Sequence, residues 1–475
     1  MGMNASHGAC ASALSAEQAK CVAICSSNAA SRSLVPLPPP NPFMGPPDTS
    51  TMHGNAASSD STYNPGPGSG PVTIKENLGI NAVFASILMG KDGLLQAVAT
   101  NIINETPYVY LLNSSTLAVL DTMKLVYSSD AVAGGIYNYI DSQDRIVLVN
   151  GAGVLQRIAH SEIGGSWKLS VSEQVDIGYP GVVGLVPDYE GRVWFATGQG
   201  PSNETGATVG YYDPRTNTTS AFTLPAGEGV ANSISSSPDG VAVASTFALY
   251  FFRGDNGQVT QIWRQIYNRG PGRKPGQLSW GTGATPVFFG PRSGYEYLTI
   301  TDNATPAENI LVYRSTTGKL LGTQSILSLI GTENAPIAAG ASVVVSSTYG
   351  YVYPPGAAAP GPSVPPSANF TGGMTRANMA KGRHKLSTIW LNEDLRSAAL
   401  PRLSIADGLI YTMALNMTGW YNFVSIDARD GSVLSRAPLG TGFKFNTLQM
   451  TGLISPEGIF YQGTEHGLFS VGAQQ

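Results

Sequence analysis

VVGLVPDYEGRVWFAT, residues 182–197, reads as an apolar strand, a tight turn closed by Glu-Gly, and a second apolar strand. The dipeptide suits a hairpin whose central residues need positive φ. The same plan returns in ANSISSSPDGVAVAST (231–246), PIAAGASVVVSST (336–348), PRLSIADGLIYTMA (401–414) and TLQMTGLISPEGIFYQG (447–463). AVAGGIYNYIDSQDRIVLVNG (131–151) and ATPVFFGPRSGYEYLTIT (284–301) follow it too, and a weaker copy surrounds Lys91-Asp92-Gly93. In most copies two further strands follow before the next unit, at a spacing of about 45–60 residues. Four short strands per unit at that period predict an all-β chain folded as a β-propeller with four-stranded antiparallel blades.

Seven units are complete, and the last, residues 447–472, holds only three strands. VTIKE (72–76) is placed to supply the missing strand and close the ring. The expected count is therefore eight blades, with seven the next choice because the first unit is poorly marked.

Composition agrees with a turn-rich β fold. The chain has 475 residues with 56 Gly and 32 Pro, and only 12% of its residues are charged. A net charge of −4 with no basic block argues against nucleic acid as partner. No apolar run approaches the length of a membrane span, so no membrane is expected either.

The N-terminal part reads differently. Cys10, Cys21 and Cys25 lie in the first 25 residues and no cysteine follows. SAEQAKCVAIC (15–25) is a short helix pattern with Ser15 and Gln18 as a capping box, and it sets Cys21 and Cys25 on one face. A disulfide from Cys10 to one of them is expected. Residues 26–72 are rich in Ser, Pro, Gly and Asn and read as an extended linker without a core. The expected division is an N-terminal arm, 1–72, and a propeller, 73–475.

Sequons for N-glycosylation occur at Asn4, Asn104, Asn113, Asn203, Asn217, Asn303, Asn369 and Asn416. Most fall in loop-like stretches, as an acceptor must, and together they point to a secreted or secretory-pathway protein.

Propeller geometry turns repeat register into candidate site residues. Each innermost strand starts at one face of the ring and the second strand returns to it. Residues before first strands and after second strands therefore converge on the channel mouth. The former are Asn232, Trp280, Thr282, Glu333, Asn334, Arg396, Asn446 and Thr447. The latter are Gln199, Thr246, Asp302, Asn303, Tyr349, Tyr351, Glu465 and His466. The loop RGPGRKPGQLSWGTGATP (269–286) leads into the mouth, and its glycines allow the backbone to approach a ligand. Residues 352–387 form an insertion too long for a hairpin connection, expected to hang over the mouth as a lid.

Familiar catalytic motifs are missing: G-x-S-x-G, H-E-x-x-H, a P-loop and an EF-hand loop do not occur. So are the vicinal cysteines and tryptophan-docking repeats of quinoprotein dehydrogenase propellers. Of the five histidines only His384 and His466 can reach the mouth, too few for a multi-histidine metal site. Amides, hydroxyls, aromatics and a few charges remain. One reading has Glu333, Asp302, Asn232 and Asn334 ligating calcium, as in lactonase propellers of the gluconolactonase type. A second is a largely apolar small-molecule pocket with sparse donors, in which orientation and hydrogen bonding do the catalysis without a cofactor. A third is binding without turnover.

The runs ANSISSSPDGVAVAST, GRKPGQLSWGTGATPVFFGP, YLTITDNATPAENILVYR and GTENAPI resemble a family of secreted propellers of fungi and actinomycetes, over roughly residues 80–472. The sequon-rich, fungal character is similar to that of the hetero-Diels–Alderases of tropolone–sesquiterpene biosynthesis, cofactor-free proteins that join a tropolone o-quinone methide to a humulene-type olefin. That resemblance implies that Trp280, Tyr349 or Phe445 stacks on the diene, and that Asn232, Thr282, Asn334 or Arg396 hydrogen-bonds the tropolone oxygens. Thr246, Glu333, Asn446 and His466 complete the expected substrate-binding set. No cofactor is implied, with a structural calcium the one exception left open.

Overall fold

The computed structural model describes residues 35–126, 135–198, 205–328, 331–354, 361–380 and 385–474. Cys10, Cys21, Cys25, the sequons at Asn4 and Asn203, Gln199 and His384 lie outside these residues. Residues 36–475 form one compact unit.

Eight antiparallel blades make the ring. Their innermost strands, blades 1 to 8 in order, are Ala82–Met89, Tyr139–Ile140, Val182–Pro187, Ser235–Ser237, Val287–Phe289, Ile337–Ala339, Arg402–Ser404 and Gly452–Ile454. Blade 8 takes its outermost strand from the front of the chain: Val72–Asn77 pairs antiparallel with Leu468–Ala473, from Val72 opposite Ala473 to Asn77 opposite Leu468. VTIKE thus closes the ring as its position in the sequence implied.

The first turn of each blade is built locally. In blade 3, Asp188 accepts from the backbone N–H groups of Glu190 and Arg192 through Oδ1, and from Arg192 Nε and Trp194 Nε1 through Oδ2. Asp141 in blade 2 holds Gln143 and Arg145 in the same way. Gly191 completes the blade 3 turn at φ +90°, where a side chain would be strained. Between blades, alternate strand residues interdigitate: Trp194, Tyr250, Phe251, Phe288, Phe289, Phe423 and Phe460 are essentially inaccessible. Burying side chains of this size contributes about 1.5–3 kcal/mol each.

The linker expected over residues 26–72 is the chief correction, because its part from residue 36 onward belongs to the body of the propeller. Residues 41–64 coil across the channel end at which the innermost strands finish. Backbone carbonyls of Thr49, Ser50, Ala56, Ala57, Ser59 and Asp60 accept from N–H groups of Met89, Ile140, Ser236, Phe288, Ala338 and Leu403 at 2.7–3.0 Å. Asn41 Nδ2 donates to Pro187 O, and Asn64 Nδ2 to Ile454 O. Every innermost strand therefore bonds to this one segment, and Ser61–Thr62 adds a parallel strand to blade 7. A polar, turn-rich sequence can be buried here because its own backbone satisfies the inward edges of the blades.

The plug is also locked by charge. Asp60 is fully buried between His53 Nδ1 and Arg402 Nη1, at 2.8 Å from each. Arg402 Nε donates to Gly452 O as well. Between plug and mouth there remains a void of about 10 Å³, bordered by His53, Ser58, Tyr137 and Ser233, enough for one water.

Candidate mouth site

The loop at 269–286 folds back over the mouth, and the basic pair fixes it. Lys274 is buried, and its ammonium donates to Ala304 O at 2.7 Å and to Glu308 Oε1 at 3.1 Å. Glu308 also accepts from Gln277 Nε2 and Thr332 N. Arg273 donates to Gln277 O and Gly361 O, tying the loop to the blade 6 excursion. The glycines serve packing: Gly276, at φ +85°, presses on the carbonyl of Thr348, and Gly283 lies against the Glu333 carboxylate. The close approach is therefore to neighbouring backbone and a buried side chain, and the expected approach to a ligand gives way to it.

Glu333 is the hub of the throat. Oε1 accepts from Ser279 N at 2.6 Å and Ser279 Oγ at 2.7 Å, and Oε2 from Leu278 N. Burial pushes its carboxyl above the usual range, opposed by the Ser279 hydroxyl, the two amides and Arg273. Asn232, before blade 4, accepts from Tyr137 Oη at 2.5 Å and donates to Gly283 O. Tyr137, ahead of blade 2, and Tyr353, after the second strand of blade 6, both feel the Glu333 charge. Burial, with that charge, raises both phenols far above their ordinary value. Blades 2 and 6 face each other across the ring, so these residues close its centre.

A second group adjoins the first. Tyr351 packs edge-on against Tyr353, with ring centroids 5.0 Å apart, and against Phe370. Its hydroxyl donates to Asn446 Oδ1 at 2.7 Å, and Asn446 Nδ2 donates to Glu465 Oε1 at 2.6 Å. Leu448, Met450, Ala398, Val83 and Ala85 complete an apolar cluster around these rings. Burial raises the Glu465 carboxyl, with Asn446 opposing it.

Four of the sequence candidates keep a buried polar atom without a partner: Thr282 Oγ1, Asn334 Oδ1, Arg396 Nη2 and His466 Nδ1. Tyr353 Oη is a fifth on this face. Thr282 is 1% exposed and Asn334 fully buried. Asn334 is held from behind, its Nδ2 donating to Ser346 Oγ and Ala398 O. Buried orphans of this kind ask for water or a ligand.

Other candidates make contacts of their own. Trp280 is 42% exposed at the rim, with the Arg269 guanidinium 3.7 Å from its ring and equally close to that of Phe247. Thr246 Oγ1 accepts from Gly229 N. Phe445 packs on Gly440 of the outermost strand of blade 7, and Tyr349 is half-buried. Asp302 accepts from Ala304 N and from the backbone and side chain of Asn309, so its carboxylate serves its own hairpin.

The lid boundaries shift as well. Met374–Met379 and Leu386–Asn392 are the third and fourth strands of blade 6, so the excursion spans 347–373. Among the sequons, Asn104, Asn217, Asn369 and Asn416 are exposed and Asn113 is half-buried. Asn303 is fully buried, with its Nδ2 donating to Arg269 O and Gly272 O, so the folded protein has no room for a glycan there.

Tyr137 and Tyr353 went unmarked in the sequence reading. The one signal was their position, next to a first strand and a second strand respectively.

No protein-family model matches this sequence, and no curated protein does. The fold is similar to that of the quinohemoprotein alcohol dehydrogenase from Comamonas testosteroni, with a TM-score of 0.57 and 12% identity over 90% of this chain and 81% of that one. It is similar also to quinohemoprotein alcohol dehydrogenase ADHIIG from Pseudomonas putida HK5, with a TM-score of 0.58 and 12% identity over 89% of this chain and 77% of that one. At such identity the likeness concerns the fold alone.

Proposed function

We propose that the mouth binds a small, largely apolar molecule carrying a polar handle, and that the protein is a secreted, cofactor-free enzyme of fungal secondary metabolism. The supporting observation is the set of unpartnered buried atoms on Thr282, Asn334 and Tyr353, with Tyr353 inside the Tyr351–Tyr353–Phe370 cluster and Asn334 bonded to Ala398 at its edge. Oriented donors next to an aromatic, water-poor surface are what an intermolecular cycloaddition requires. In the hetero-Diels–Alder reaction of a tropolone quinone methide with a humulene-type olefin, hydroxyls of Thr282 and Tyr353 donate to the heterodiene oxygens and lower its acceptor orbital. Asn334 Oδ1 accepts from a substrate hydroxyl. The aromatic cluster holds the olefin, and proximity supplies most of the rate.

In the alternative of a calcium-dependent hydrolase Glu333 would be a ligand, whereas both its oxygens here accept from Leu278 and Ser279. The test is turnover of generated tropolone quinone methide and humulene, with chiral analysis of the adduct, with and without EDTA. A single stereoisomer formed equally in both is expected. Adduct of the same rate and composition as the protein-free control overturns the reading, and a stoichiometric calcium in the purified protein with no adduct moves it to the hydrolase.

A further inference from the structure

On the face opposite the mouth, the seam between blades 1 and 2 holds a cluster that neither the ring nor the mouth uses. Asp92 lies in the first turn of blade 1, Asp144 in the first turn of blade 2, and His160 in the third strand of blade 2, Val154–Ile163. One donor atom from each lies within 4.8 Å of the other two. Oδ1 of Asp92 accepts from Leu94 N and Oδ1 of Asp144 from Lys91 N. The second oxygens turn to His160 Nε2, at 2.8 Å for Asp92 and 4.0 Å for Asp144. Gly90 leaves the room for this, since a Cβ there would stand 2.6 Å from Asp144 Oδ1.

The His160 side chain is 6% exposed, and its Nδ1 is buried without a partner. Among the described residues no hydrogen bond reaches Asp144 Oδ2, and the nearby Lys91 Nζ is committed to Ser142 O at 2.6 Å. A proton on Nε2 serves Asp92 and leaves Asp144 bare beside a second carboxylate. A proton on Nδ1 alone sets the Nε2 lone pair against Asp92 Oδ2. A divalent cation between Nε2 and the two Oδ2 atoms uses the lone pair and neutralises both carboxylates.

We propose that Asp92, Asp144 and His160 form a zinc site that joins blades 1 and 2. One imidazole nitrogen and two carboxylate oxygens are a zinc ligand set, whereas calcium takes six to eight oxygens. The fourth position opens to water past Asp92, whose side chain is 32% exposed. This site is independent of the reaction proposed for the mouth.

The experiment is equilibrium dialysis of the full chain against zinc, with metal analysis and thermal melts of wild type, Asp144→Asn and His160→Gln. Wild type should hold one zinc per chain and melt higher with zinc. Each variant should lose affinity by at least about 100-fold, beyond the effect of removing an outer-shell partner. Zinc dialysing freely from wild type overturns the proposal, as does equal retention by both variants. A thermal melt of wild type that does not respond to zinc also overturns it. Should His160→Gln fail to fold, Asp144→Asn, which keeps the Lys91 contact, decides alone.

Discussion

Arg402 of the innermost strand in blade 7 donates to Asp60, 342 residues earlier in the chain, at 2.8 Å, with both side chains almost wholly buried. This pair fastens the plug to the ring. Arg402→Met leaves Asp60 buried with His53 as its one remaining side-chain partner among the described residues, a loss of about 3–5 kcal/mol. Guanidinium unfolding should show that destabilisation, and limited proteolysis should cut the variant first within residues 36–64. Unchanged stability with an unchanged digestion pattern would mean that backbone bonds alone hold the plug.

Lys274 and Glu308 make the corresponding lock under the mouth loop. Burial raises the Glu308 carboxyl and Lys274 pulls it back. Even with Lys274 in place the Glu308 carboxyl is pushed up to about 8, and Lys274→Met removes the pull and raises it further, so it stays protonated to higher pH. A carboxyl whose folded pKa lies above its unfolded value stabilises fully below the unfolded pKa and loses that contribution as pH rises through the folded one. The variant should therefore be close to wild type from pH 4 to about 8 and weaker by about 3–5 kcal/mol above it. Denaturant midpoints across that range measure the slope, and a penalty constant with pH would contradict the assignment.

How far the sequence carried the fold depends on what each part uses to hold itself. Turns such as DYEG (188–191) and SPEG (455–458) need positive φ at their glycines, and the strands beside them need alternating apolar residues, so the blades and the closing VTIKE strand were legible. Residues 41–64 act chiefly through backbone carbonyls, which leave no pattern in side chains, so a Ser/Pro/Asn-rich text passed for a linker. At the mouth, register located Asn232, Glu333 and Asn446 correctly on one face. It could not tell that Lys274 would be buried, that Phe445 would turn outward, or that Tyr137 and Tyr353 would meet the Glu333 field from opposite blades.

Gly276 tests whether the mouth loop depends on close backbone packing. At φ +85° its missing Cβ would fall on the Thr348 carbonyl. Gly276→Ala adds left-handed strain of about 1–2 kcal/mol to that clash and should lift the loop from blade 6. Gly257, at φ +76° with open space around it, is the control and should show the strain alone. Faster proteolysis at 269–280 in the first variant and not in the second is the expected result. Equal behaviour would show that only φ matters.

Tyr351 and Tyr353 are adjacent tyrosines with opposite satisfaction, and the contrast separates structure from function. Tyr351 Oη donates to Asn446 at 2.7 Å, whereas Tyr353 Oη and Thr282 Oγ1 are buried without partners. Tyr351→Phe removes one of the two donors to Asn446 Oδ1, which keeps the Leu448 N–H, and should cost about 0.5–1.5 kcal/mol. Tyr353→Phe and Thr282→Val remove atoms whose burial is uncompensated, so stability should stay within about 0.5 kcal/mol of wild type or rise. If those hydroxyls face a ligand, the same two variants should bind or turn over more weakly despite intact folds. Thermal melts paired with the adduct assay separate the cases. Loss of stability in Tyr353→Phe comparable to Tyr351→Phe would mean that the hydroxyl serves the fold through a bound water, and that the mouth offers a ligand fewer donors than proposed.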